Sequence, residues 1–219
     1  MNDKGVLESA ADIDSNDPLT TYIQLKKEIS IDKNSWLSLR YTMTNKSNTN
    51  IIRAPWQINR CPQAGFVFFE MGPGGQTHFT ECQWVKNLNL KSSPGKPVWI
   101  DVANCPDRYK TICDGTGWLA HVYGKQLFIM RFDDIPAGQA AQGEGEIEIY
   151  VCNPQEEGQL GYVELEAQGT PIQLKPGEKT SWTVQWKAII LENEIPKNID
   201  EEQKSKLYQY YYDIATMKK

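Results

Sequence analysis

The segment GYVELEAQG, residues 161–169, decides the fold class. Tyr162, Glu164, Glu166 and Gln168 fall on one side of an extended chain, and Val163, Leu165 and Ala167 on the other. A period of two is the mark of a half-buried strand. The same alternation recurs outward in both directions. Downstream, EKTSWTVQWKAII (178–190) repeats it; upstream, GEIEIYVCN (145–153) does the same. GWLAHVYG (117–124) and KQLFIMRFDD (125–134) read as a hairpin about Gly124. Nearer the N-terminus, TYIQLKKEISI (21–31) and SWLSLRYTMTN (35–45) form a second hairpin around a DKN turn. IIRAPWQINRC (51–61) follows with Pro55 interrupting it, and then AGFVFFEMG (64–72).

Between about 73 and 117 the chain is rich in Pro, Gly, Asn and Cys, with short strands expected only at QWVKNL and PVWID. A long irregular stretch inside a domain is usually functional or an insertion. The only helical periodicity lies in the tail, about 200–217, where Leu207, Tyr210, Tyr211 and Ile214 share a face. No βαβ alternation occurs. These elements predict an all-β antiparallel sandwich with a short C-terminal helix. Residues 1–18 are expected as a flexible leader, 19–192 as the sandwich domain, and 193–219 as the helical tail.

Composition narrows the function. The net charge is −5, which argues against a nucleic-acid footprint. No apolar run approaches a membrane span, and MNDKGVLESAADIDSNDPLT has no apolar signal region. The compartment is open, with a periplasmic or secreted setting preferred to the cytoplasm. Five cysteines are an odd number. Cys105 and Cys113 are spaced to close a loop, and the alternative is five thiols. Two histidines with scattered carboxylates match no metal-ligand spacing, so neither metal nor cofactor is expected.

The candidate chemistry lies on the strands. Glu164, Glu166 and Gln168 share a face, as do Glu144, Glu146 and Glu148. Aligned carboxylates can bind sugar hydroxyls or act as general bases when burial tunes them. For 144–148 the preferred reading is a solvated face that blocks edge pairing. Arg60 is a candidate clamp for hydroxyls or a carboxylate. His78, in GGQTHFTE, is a candidate acid, while His121 reads as a packed or surface histidine.

The run from 161 to 187 resembles the end of the galactose mutarotase (aldose 1-epimerase) superfamily. Gly161, Leu165, Glu166 and Gln168 fit its G-x-x-L-E-x-Q strand. Leu174, Pro176, Gly177 and Glu178 fit the L-x-P-G-E turn, and Trp186 the final aromatic strand. HVYGKQLFIMRF is similar to the preceding strand–turn–strand. The likeness extends loosely over about 20–190. An uncharacterised bacterial branch, in which the APW tripeptide also recurs, looks nearest. The resemblance implies a supersandwich of which this chain is the C-terminal part. It implies that Glu166 takes the anomeric hydroxyl proton, with Gln168 beside it. At the family's acid-histidine position stands Trp56, flanked by Pro55 and Gln57. An indole cannot serve as an acid at neutral pH, but Trp56 suits a sugar-stacking platform, with Gln57 beside it. The expected function is a carbohydrate-binding mutarotase-like domain for a small sugar or glycan. One alternative is an epimerase using Glu166 as base. Another is a non-catalytic interaction module.

Overall fold

The computed structural model describes residues 7–12, 23–79, 81, 83–153 and 160–216. Along them run β1 (Leu7–Asp12), β2 (Ile23–Ile31), β3 (Leu37–Asn45), β4 (Ile51–Arg53), β5 (Trp56–Pro62), β6 (Phe66–Glu70), β7 (Gln76–Thr77) and β8 (Lys86–Asn87). There follow β9 (Pro97–Asp101), β10 (Tyr109–Cys113), β11 (Trp118–Tyr123), β12 (Gln126–Arg131), β13 (Ile147–Cys152), β14 (Tyr162–Gln168), β15 (Ile172–Leu174), β16 (Lys179–Ile190) and α1 (Glu201–Thr216).

Two sheets dominate. One has eight strands in the order β1-β2-β3-β16-β12-β11-β6-β9. The other runs β5-β14-β13-β10-β7, with β8 added to β10 as a parallel neighbour. Every other strand pairing is antiparallel. β4 and β15 form a separate two-stranded ribbon. Pro55 has no N–H to give a ladder. It divides the expected 51–61 strand into β4 and β5, and its carbonyl accepts from Gly169 N instead.

The alternation read in the sequence becomes layering. Val163, Leu165 and Ala167 of β14 and Ile147, Ile149 and Val151 of β13 face inward onto Leu119, Met130, Trp182 and Val184 of the larger sheet. That sheet's other side carries Phe68, Trp118, Ala120, Val122 and Ile129, covered by Tyr211, with Leu207, Tyr208 and Tyr212 packed around them. The helix therefore roofs the larger sheet, and no described helix covers the far face of the smaller one. Burying each such side chain contributes about 1.5–3 kcal/mol.

Turn chemistry sets the register. Tyr123 pairs with Gln126 across a two-residue turn, and Gly124 there has φ 53°, a left-handed value that glycine adopts without strain. Gly65 (φ 67°) is also held to glycine by space: a Cβ would stand 2.0 Å from Val122 O.

The structure bears on three expectations. The stretch 1–18, expected as a leader, contains β1, in register with β2 from Leu7↔Ile29 to Asp12↔Gln24. Edge pairing uses main-chain groups, so a polar sequence can supply it. Cys105 and Cys113 are both free thiols. Cys113 lies in the core between the sheets, while Cys105 Sγ reaches Asp101 O at 3.4 Å. Cys82 lies outside the described residues. The irregular stretch also yields a regular strand, β10, which proves central to the site below.

Candidate functional site

The open face of the smaller sheet gathers residues from four strands. Register places Glu166 opposite Glu148 on one side and Ile58 on the other. Glu148 in turn stands opposite Ile112. Glu164 pairs with Arg60 and Tyr150, Gln168 with Trp56, and Lys110 with Tyr150. Directly opposed residues project to one face with Cβ atoms about 4.5–5.5 Å apart. The result is a polar surface floored by carboxylates and edged by Trp56.

Glu166 and Glu148 lie at the bottom, with exposures of 2% and 0%. Lys110 Nζ lies 2.5 Å from Glu148 Oε2 and 5.9 Å from the Trp56 ring centroid. Gln168 Nε2 donates to Glu148 Oε1 at 2.8 Å and to Glu144 Oε2 at 3.4 Å. Glu166 Oε2 is buried with no hydrogen-bond partner. Trp56 is 53% exposed above this floor.

Electrostatics follow from the burial. Desolvation raises Glu166 to about 7, with the Glu164 and Glu144 charges adding and the Lys110 charge and Trp56 N–H opposing. Desolvation, then the Glu144 carboxyl, raises Glu148 to about 8 against the pull of Lys110. Burial alone would depress Lys110. Its bond to Glu148 and the nearby Glu166 and Glu144 charges carry it upward instead. Glu146 is also raised to about 8, chiefly by burial, then by Asp134. It accepts from Gly115 N and Gly117 N and braces those loops.

These shifts set a pH dependence. Each raised carboxyl keeps a proton in the folded chain that it releases when unfolded, from about pH 4.5 up to 7–8. Their contribution is complete below the unfolded value and is lost as pH rises through the folded values. Urea unfolding is therefore expected to show stability falling steadily from pH 5 to 8. A flat profile over that window would contradict buried, protonated glutamates.

The expected site residues divide. Trp56, Arg60, Glu164, Glu166 and Gln168 share the open face. Gln57 does not, because alternation turns it inward, where its Nε2 bonds Asn59 Oδ1 at 3.2 Å and it is buried beside Met130. His78 is exposed just beyond β7, with β10 and β13 between β7 and β14. Three strand spacings, about 14 Å, separate it from the Glu166 strand, so the fold does not bring the two together. His121 is buried and held near pKa 4 by burial, its ring bonded to Ala64 O at 2.7 Å. The solvated face expected for 144–148 is wrong at Glu146 and Glu148, both buried. Lys110 joins Glu148 and Glu166 in this cluster, and no motif of the sequence marked it. YKTIC shows no polar–apolar alternation, since Ile112 shares the face of Lys110 while Thr111 turns inward. Among the described residues no group of His, Cys, Asp or Glu is arranged to hold a metal. No helix among them is long and apolar enough to cross a membrane.

Residues 12–189 match the family described as "Domain of unknown function (DUF4380)". The chain belongs to this family. No functionally curated protein matches it. Solved structures do. An aldose 1-epimerase candidate from Escherichia coli K12 superposes with TM-score 0.58 at 13% identity, over 87% of this chain and 67% of that one. A galactose mutarotase-like protein from Lactobacillus casei gives 0.56 at 10% identity, over 84% and 70%. A galactose mutarotase related enzyme from Lactobacillus acidophilus gives 0.55 at 13%, over 90% and 72%. This DUF4380 chain therefore has the galactose mutarotase-like fold and spans about two thirds of the length of the first of those structures. At such identities the likeness concerns fold, and function rests on the site.

Proposed function

We propose that the open face of the smaller sheet binds a saccharide, with Trp56 as the stacking platform and Glu166 as the central hydroxyl acceptor. One observation carries this: a buried carboxylate oxygen of Glu166 lacks a partner beneath a half-exposed indole. Leaving a buried acceptor unpaired costs about 1–3 kcal/mol, and a sugar hydroxyl would satisfy it. The indole face suits the C–H face of a pyranose, and Gln168 fixes the neighbouring carboxyls.

A second reading, sugar epimerisation, is favoured by Lys110. A base near pKa 7 is suited to taking the anomeric hydroxyl proton at neutral pH. Lys110, on the same face, would donate to the ring oxygen in place of a histidine.

Titration of intrinsic Trp fluorescence with a panel of aldoses and uronic acids, with polarimetry on the same samples, tests both. Saturable quenching that Glu166→Gln and Trp56→Ala each abolish is the expected result. A mutarotation rate above buffer, lost with Glu166→Gln, would establish the enzyme. No response in either channel would overturn the saccharide site and leave an interaction module.

A further inference from the structure

Toward the Tyr162 end, the open face changes from carboxylates to guanidinium groups. The Arg60 guanidinium lies 4.4 Å from the Tyr162 ring centroid. Glu164 takes its Nε–H at 2.8 Å. No other hydrogen bond joins the Arg60 side chain to a described residue, so its planar Nη edge is available. On the adjacent strands β13 and β14, Tyr150 and Tyr162 set their rings 6.3 Å apart. Arg108 precedes β10 by one residue, and the register of Tyr109 with Val151 carries it beside Cys152, on the face of Tyr150. Its charge acts on the Tyr150 hydroxyl. Arg108 Nε is buried with no hydrogen-bond partner. A guanidinium donor that is desolvated and unpaired calls for an oxyanion, since planar forks of this type hold carboxylates and sulfates through paired hydrogen bonds.

Building on the saccharide reading above, we propose that Arg60 and Arg108, framed by Tyr150 and Tyr162, form an anion-recognition subsite, so that the ligand is an acidic oligosaccharide. Glu166 and Tyr162 stand four residues apart on β14, about 14 Å along the strand. That span exceeds one pyranose ring. The ring over Glu166 stacks on Trp56, and a carboxylate or sulfate on a neighbouring ring meets the arginines. The chemistry common to both sources is a sugar-borne oxyanion.

Calorimetric titration with three probes tests this at low salt: digalacturonate, the neutral digalactose, and a disaccharide monosulfate. At least one acidic probe is expected to bind ~10-fold more tightly than digalactose, the scale of one charge-assisted hydrogen bond. Arg108→Gln is expected to reduce that preference to about twofold or less. Digalactose affinity should be unchanged in the same variant, which also shows that the variant folds. Arg60→Gln should weaken the preference independently. Tighter digalacturonate identifies a uronate ligand, and tighter monosulfate a sulfated one. Equal affinity for all three probes, or a preference that survives both substitutions, overturns the subsite while leaving the saccharide face intact. Binding of none of them overturns both.

Discussion

Replacing Lys110 by methionine is expected to lower the unfolding free energy by about 3–5 kcal/mol at pH 8.5, and by about 1 kcal/mol at pH 5. Lys110 is the cation held against Glu148, and its charge also acts on Glu144 and Glu166. Removing one partner of a buried pair leaves the other as an uncompensated charge in low dielectric. At alkaline pH, Glu148 and Glu166 would have to remain ionised in that environment or take up protons at a cost. At pH 5, both already carry their protons, since their values lie near 8 and 7. Only the hydrogen bond is then lost. Urea denaturation of the Lys110→Met chain and its parent at both pH values measures the difference. Adding Glu148→Gln to the variant should recover most of the alkaline loss, because the amide needs no counter-charge. Equal losses at the two pH values would show that Lys110 acts through its aliphatic stem alone.

Phe68→Ala should cost about 3–5 kcal/mol and release the C-terminal helix. Phe68 is fully buried and sits where three aromatic neighbours meet. It stacks on Trp99 at 4.4 Å, meets Trp118 edge-on at 6.0 Å, and contacts Tyr211 of α1 at 5.3 Å. Deleting the ring opens a cavity between the eight-stranded sheet and its helical roof, so hydrogen exchange should accelerate along 201–216 before it does in β13 and β14. Tyr211→Phe is the informative control. The Tyr211 hydroxyl is buried without a partner, so that substitution should be neutral or stabilising. Uniform acceleration through both sheets after Phe68→Ala would mean that the helix and sandwich unfold as one unit.

The strands with clear alternation were legible in the sequence. β14, β13 and β16 show a period of two, and β11 and β12 read as apolar runs on either side of the Gly124 turn. Each lies within its expected segment. The helix was legible because Leu207, Tyr211 and Ile214 sit on one stripe. β10 was not, since five residues between proline- and glycine-rich turns carry too few alternations to stand out. β1 was not, because a polar edge strand is held by main-chain pairing that leaves little mark on side-chain pattern.

The candidate site was legible only along single strands. Glu164, Glu166 and Gln168 are three residues of one extended segment, and the geometry of a strand alone puts them on one face. Gln57 was misplaced by a single step of alternation, because the strand resumes at Trp56 after Pro55 and its phase is set by pairing to β14. His78 lies away from Glu166 because β10 and β13 stand between β7 and β14, an order that no local pattern carries.

By itself, the sequence determined the period of two, the interruption at Pro55, the turn at Gly124 and the amphipathic tail. Together these specify an antiparallel sandwich with one helix. Only the tertiary structure decided that Lys110, Glu148 and Glu166, drawn from three strands, share one cluster. It also decided that Glu148 is raised in pKa where a solvated carboxylate was expected. The physical reason is that side-chain direction is a local property of the backbone. Cross-strand register, burial and the electric field at a carboxyl are properties of residues brought together by long-range pairing.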